Sequence, residues 1–286
     1  MKIILSADST CDLTEELRNQ YQVNTMPYHI HLEGKDYIDN VDITPEVLYQ
    51  AYWDRKALPK TAAVNTYEYV EYFKKWTAQG LAVIHFCLGS ALTSSYQNAK
   101  LAAEELENVY VIDSCNLSSA TGLQVLDCRS MIEAGKEPEE IYRYFSENQQ
   151  KYHGSFIVDT LEFLKAGGRC STAAAFGANL LNIKPSIEVD NTCGGMEVRK
   201  KYRGKLERVL EKYVKDKLAQ YSDIETDKIF ITHSGIEEAC IETVRKTINE
   251  ILHFDSIYVT KASCTISCHC GPGTLGILFA TRGKCE

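Results

Sequence analysis

Short apolar runs alternate with segments of helical periodicity through the first half of the chain. Residues 3–5 read as a short buried strand, with Ala7-Asp8-Ser9-Thr10 as the turn after it. Thr14 caps a short helix whose first turn carries Glu15 and Glu16. Residues 23–31 read as a second strand, and Thr44-Pro45-Glu46 opens another helix with proline suited to the first helical position. A helix over 67–76, a strand over 82–86, a polar loop, a long helix to about residue 106 and a strand over 109–112 follow. Such βαβ alternation predicts a parallel sheet with helices on both faces.

The pattern changes near His153-Gly154. Residues 155–158 read as a strand, 160–165 as a helical turn and 173–181 as a small-residue helix. Residues 183–189 and 196–200 are two strands joined across Gly194-Gly195, a hairpin signal. A charged helix over 205–218, a strand over 229–232, a helix over 236–250 and strands over 256–260 and 276–280 complete the chain. The expected fold class is α/β in two domains. A parallel-sheet α/β/α unit spans 1–152, and an α+β unit with a mixed or antiparallel sheet spans 153–286.

Composition narrows the function classes. With 44% hydrophobic and 24% charged residues the chain can build a sizeable core. A net charge of −8 argues against a broad phosphate-binding face for nucleic acid. The N-terminus lacks a signal-peptide core, and no stretch approaches the roughly 18 apolar residues of a membrane span. A soluble, cytoplasmic protein is expected. The 11 cysteines are scattered, which in that compartment predicts free thiols that pack as small hydrophobes.

Polar segments at 6–12, 61–66, 89–97 and 269–276 fall at the ends of predicted elements, where sites on α/β folds gather, and 166–171 is a glycine-basic turn. Gly89-Ser90-Ala91-Leu92-Thr93-Ser94-Ser95-Tyr96 precedes a helix, so its hydroxyls either cap that helix or join its amides around an anion. Cys270-Gly271-Pro272-Gly273-Thr274-Leu275-Gly276 lacks the Lys-Ser/Thr of a phosphate loop and reads as a tight turn. Cys264, Cys268, His269 and Cys270 invite a metal, but no second pair exists and neighbouring side chains diverge on an extended backbone. Asp8 and Asp12 have no accompanying histidine or carboxylate motif, and no nucleophile elbow is present. Residues 199–208 hold six basic side chains against Glu207, either a solvated face or a docking surface.

Taken together these segments resemble the DegV family of bacterial fatty-acid-binding proteins, which includes the lipid-binding subunits of fatty acid kinase. ADSTCDLTEEL resembles the family's TDST-x-DL segment, KTAAVNTYEYVEYF stands where it has T-S-Q-P-x-x-x-x-F, and LTSSYQNAKLAAEEL resembles L-S-G-T-Y-Q-S-A. VYVIDSCNLSSATGLQVL resembles V-x-V-I-D-S with its following helix, VDTLEFLKAGGRC resembles D-T-L-x-Y-L-x-x-G-G-R-I, and HCGPGTLGILF matches H-x-G-P-G-T-x-G-x-x-F.

The resemblance implies one long-chain fatty acid in a tunnel between two domains, with no cofactor, no metal and no catalysis by this chain alone. It assigns the carboxylate to Thr61, Thr93, the Ser94 amide and His269, and places Arg169, Ala62 and Gly271 near the head group or the opening. Ala62 replaces a serine, and Thr93-Ser94 replace Ser-Gly. The implied partner is a separate ATP-binding kinase subunit, for which Arg199, Lys200, Lys201 and Arg203 are the expected docking surface. Competing readings are a hydrolase or transferase acting on a lipid, and a metal- or redox-responsive cysteine protein.

Overall fold

The computed structural model describes residues 2–174 and 183–283. The first half is built on a parallel sheet in the order Val23–Met26, Ile3–Asp8, Ala82–Cys87, Val109–Asp113. Ala82–Cys87 is buried on both faces, and its alternate side chains separate accordingly. Val83 and Cys87 pack with Tyr69, Phe73 and Ala99 on one side, while Ile84 and Phe86 pack with Leu123, Leu126 and Phe145 on the other. The helices Thr66–Thr77 and Ser95–Glu104 therefore cover one face, and Ser118–Glu133 and Pro138–Glu147 the other.

The second half holds a six-stranded sheet in the order Gly195–Arg203, Ile183–Asp190, Tyr152–Ile157, Leu275–Thr281, Ile224–His233, Ser256–Lys261. All neighbours are antiparallel except Ile224–His233 and Ser256–Lys261, which run parallel. The predicted hairpin turns at Gly194, whose φ of +81° suits glycine. The amphipathic helices Leu206–Leu218 and Glu238–Ile251 bury Leu210, Val214, Ile241 and Val244 against one face of this sheet. On the other face, Phe230 and Leu278 join the core cluster of the helix Ser118–Glu133. The parallel-sheet first half and the mixed second sheet agree with the expected α/β class.

Besides the helix Pro138–Glu147, which the sequence reading omits, three elements depart from it. Residues 23–31 form two strands, because Pro27 supplies no N–H to continue a ladder. His29–Leu32 leaves the parallel sheet and pairs antiparallel with Lys35–Ile38 and Lys60–Ala62 in a three-stranded sheet. The turn between its first two strands is made by Glu33 and Gly34, both at positive φ. The helix Ser118–Glu133 escaped the hydrophobic pattern because its residues from Ser118 to Leu126 are buried without interruption between the two large sheets, which erases the one-sided periodicity. Cys264–Cys270, whose side chains would diverge if the backbone were extended, is instead a helix capped by Ser263, whose Oγ accepts from the Ile266 amide at 3.3 Å. Of the helix expected over 173–181, residues up to 174 belong to the helical turn Ser171–Ala174, and 175–182 lie outside the described residues.

Candidate functional site

A cavity of about 260 Å³ lies where the elements of both halves meet. Its apolar wall includes Leu88, Leu92, Leu117, Phe156, Leu164 and Leu278. Several hydroxyls also reach it, but most are committed within the protein. Ser118 donates to Asp12, Ser234 to the Gly271 carbonyl, Thr265 to Asp39 and Thr274 to the Cys270 carbonyl. These groups contribute little free polarity to the lumen.

The uncommitted polarity gathers around His269. The short strand Lys60–Ala62 presents Thr61, whose Oγ1 lies 2.9 Å from His269 Nε2 although 208 residues separate the two in sequence. His269 Nδ1 is buried without a partner among the described residues. Burial first, and the Arg169 charge second, push the imidazole down to a pKa of about 4, so the ring is neutral at physiological pH. Arg169 follows Gly168, which ends the helix Glu162–Gly167 at φ +67°. Its guanidinium donates to the carbonyls of Gly167 (2.6 Å) and Leu92 (3.3 Å), tying that turn to the loop before Thr93 and Ser94. Thr61, Thr93, Ser94, Arg169 and His269 all line the cavity.

Thr93 has a second engagement. Its hydroxyl donates to Ser95 Oγ at 3.1 Å and accepts from the Ser95 amide, while Ser95 Oγ also accepts from the Val64 amide. The loop therefore caps the helix Ser95–Glu104 and borders the cavity at once. Ala62 is exposed and does not line the cavity, because alternation along the strand turns Thr61 and Ala63 toward it instead. Gly271 lies behind the wall. A side chain there would run into Phe163 at 2.7 Å, and its φ of +74° also favours glycine. Tyr28, Thr265 and Ile266 also line the cavity and were not singled out from the sequence. The signal for the last two was Ser263, an N-cap residue just ahead of the Cys-rich segment.

Behind Tyr28 lies a buried carboxylate. Asp8 accepts from Tyr69 at 2.7 Å, Tyr28 at 3.1 Å, His85 Nε2 at 3.2 Å and the Leu88 amide at 2.9 Å. Donor atoms of Asp8, His85 and Cys87 lie within 4.8 Å of one another, but the carboxylate is already filled by these bonds and burial pushes the Cys87 thiol up. That is a hydrogen-bonded core rather than a thiolate metal centre. Cys264, Cys268 and Cys270 stand on a helix rather than on an extended backbone. On a helix Cys264 and Cys268 share a buried face, and Cys264 Sγ contacts Asn40 Oδ1 and the Ile43 carbonyl. The ten described cysteines are all free thiols, of which only Cys193 is exposed.

The basic residues lie on the edge strand Gly195–Arg203. Arg199 pairs with Glu197 at 2.8 Å and Glu188 at 3.3 Å, and Lys200 with Asp216 at 2.7 Å; Lys201 and Arg203 are exposed. Part of the positive charge is thus compensated locally. No described helix is long and apolar enough to cross a membrane.

The profile of the DegV family, a family of uncharacterised proteins, matches residues 2–282. A DegV domain-containing protein of Clostridium perfringens is 30% identical over 287 residues, spanning 97% of each chain. A solved DegV family protein from Thermus thermophilus, described for its fatty acid binding, is 28% identical with a TM-score of 0.89 over 98% of this chain and 100% of that one. DegV from Bacillus subtilis, described as a fatty acid binding protein, is 25% identical with a TM-score of 0.82 over 99% of this chain and 100% of its own.

Proposed function

The chain belongs to the DegV family, and on that premise we propose that it holds one long-chain fatty acid in the central cavity. The carboxylate lies at Thr61, Thr93, Ser94 and His269, with Arg169 at the opening. The observation that carries this reading is the neutral His269–Thr61 pair on the cavity wall, beside Thr93 and Ser94, where most other lining hydroxyls are committed within the protein. The relatives from Thermus thermophilus and Bacillus subtilis, described as binding fatty acids, support the same ligand class. On this reading the units 1–152 and 153–286 are two domains with the lipid between them.

The energetics suit a carrier. Burying about 15 methylenes contributes on the order of 12 kcal/mol at about 0.8 each, and chain ordering and association offset a large part of it. A buried carboxylate needs donors to offset several kcal/mol of desolvation. Hydroxyls and the Ser94 amide provide them beside the neutral imidazole, without a tight guanidinium bridge, which keeps the carboxylate nucleophilic.

The finer reading is that this cytoplasmic chain performs no chemistry itself. It presents the carboxylate to a separate ATP-dependent fatty acid kinase subunit and carries the fatty acid or acyl-phosphate. Phosphoryl transfer needs ATP and magnesium, which that partner supplies. A hydrolase gains no support from the loop, since the hydroxyls of Thr93 and Ser95 bond to one another rather than to a base.

Organic extraction of the purified protein followed by mass spectrometry tests the ligand: a near-stoichiometric long-chain fatty acid is expected. A protein that is empty and also refuses added fatty acid overturns the reading. Charge reversal at Arg199, Lys200, Lys201 and Arg203 is expected to weaken stimulation of a kinase subunit; unaltered stimulation removes that docking surface.

A further inference from the structure

The helix Cys264–Cys270 carries His269 but has only seven residues, too few to hold a helical conformation or a direction by itself. Its position comes from what grips it. Cys264 and Cys268 sit in an apolar cluster with Phe163, Leu48 and Ile30, while Thr265, Ile266, His269 and Cys270 face the cavity. The N-terminus is held by two buried carboxylates from the other half of the chain. Asp39, 1% exposed, accepts from the Cys264 amide at 2.8 Å and from the hydroxyls of Thr265 (2.7 Å) and Ser9 (2.8 Å). Asp12 accepts from the Ser263 amide at 2.9 Å and from Ser118 Oγ at 2.5 Å.

We propose that Asp39, supported by Asp12, is a positioning residue for the fatty-acid head group, acting through His269. The proposal rests on the binding-site reading given above. The geometry supplies the reason. The bonds to Asp39 and His269 lie near opposite ends of the helix, about 7 Å apart along its axis at about 1.5 Å per residue. With that lever, a tilt of about 10° about the gripped end moves the imidazole by roughly 1 Å. A shift of that size along the contact stretches the 2.9 Å pair of Nε2 and Thr61 beyond hydrogen-bond reach. Asp39 bonds two successive groups of the first turn, the Cys264 amide, which Asn40 Oδ1 shares at 3.3 Å, and the Thr265 hydroxyl, so it sets the rotation of the helix as well as its tilt. Asp12 holds the preceding residue and ties it to Ser118, which also lines the cavity. Neither carboxylate lines the cavity itself.

Asp39→Asn keeps the shape of the side chain but leaves a single acceptor oxygen for the Cys264 amide, so the Ser9 and Thr265 hydroxyls keep their bonds only by reversing from donor to acceptor, which weakens the grip. The test is a double-mutant cycle with His269→Ala, read by calorimetric titration with palmitate and oleate on the full chain. Asp39→Asn is expected to weaken binding about tenfold in the native background and to change it less than twofold in the His269→Ala background. In the ligand-free protein, the ring nitrogen resonances of His269 should shift in Asp39→Asn. Equal losses in both backgrounds, or an unmoved ring spectrum with unaltered affinity, overturn the proposal. If Asp39→Asn does not fold, Ser9→Ala removes a single donor to the same carboxylate and should show the same pattern at smaller amplitude. An affinity indifferent to His269→Ala would instead sink the binding-site reading, while the ring spectrum would still report on the grip.

Discussion

The imidazole of His269 lies directly against Gly167: a methyl group on that glycine would fall well inside van der Waals contact with Nδ1. The end of the helix Glu162–Gly167 thus forms the seat for one edge of the ring, and Thr61 holds the other. Gly167→Ala should displace the imidazole from Thr61 and weaken fatty-acid binding about tenfold, with an overpacking cost on the order of 1 kcal/mol in stability. Calorimetric titration beside a urea melt separates the two effects. Native affinity in a folded variant would show that the ring position does not matter for the ligand.

Thr61→Val retains shape and removes the hydroxyl that faces His269 Nε2. Loss of that donor and of the ring's partner should cost about 1–1.5 kcal/mol of binding, close to a tenfold rise in Kd. Fluorescent fatty-acid displacement measures it, with Ala62→Ser as a control expected to change nothing, since position 62 is exposed and lies off the cavity wall.

The titration of His269 carries a sign. Burial and Arg169 hold its folded-state pKa near 4, below the unfolded value of about 6.5. The stability tied to the neutral ring is therefore fully present above about pH 6.5 and is lost as pH falls through 4. Ring resonances in the free protein should stay those of the neutral form at about pH 5.5 and move toward protonation at higher pH once a fatty acid carboxylate sits beside the ring. A ring already protonated at pH 6 in the free protein would contradict this.

Asp12 behaves oppositely, because burial raises its carboxyl to about 7 against the bonds from Ser118 and Ser263. Its folded pKa lies above the unfolded value of about 3.9, so its contribution is full below about pH 4 and lost as pH rises through 7. Asp12→Asn should accordingly be most destabilising near pH 5 and less so near pH 8 in urea denaturation. A penalty that grows with pH would reverse the assignment.

Asp8→Asn tests the buried core behind the cavity. The carboxylate accepts four bonds, and an amide would turn its NH2 toward two donors. A loss of about 3 kcal/mol in unfolding free energy is expected, larger than that of Tyr28→Phe, which removes one of the four. Equal effects would mean that the network is not cooperative.

Most strands and helices with a one-sided or continuous apolar pattern are legible in the chain, but Pro138–Glu147, with proline at its start and Ile141 and Phe145 buried four apart, carries such a pattern and is absent from the sequence reading. Ala82–Cys87 announces burial on both faces, and Leu206–Leu218 and Glu238–Ile251 announce one wet side. The helix Ser118–Glu133 shows only through the family motif that leads into it, because its first part, Ser118–Leu126, is enclosed by two sheets and has no exposed face to mark its period. Pro27 breaks the strand expected over 23–31, and the three-stranded sheet that begins after it pairs segments too short to carry a pattern of their own.

The sequence by itself determined the α/β class, the hairpin at Gly194, the polar loops and the family to which those loops belong, because periodicity, turn chemistry and motif order are local properties of the chain. Only the tertiary structure decided that Thr61, which the resemblance already grouped with His269, bonds its ring directly, that Ala62 faces away, and that Asp39 and Asp12 grip a helix more than 220 residues downstream. Those relations depend on which sheet a strand joins and how a short helix is rotated, and both are set by packing between distant segments.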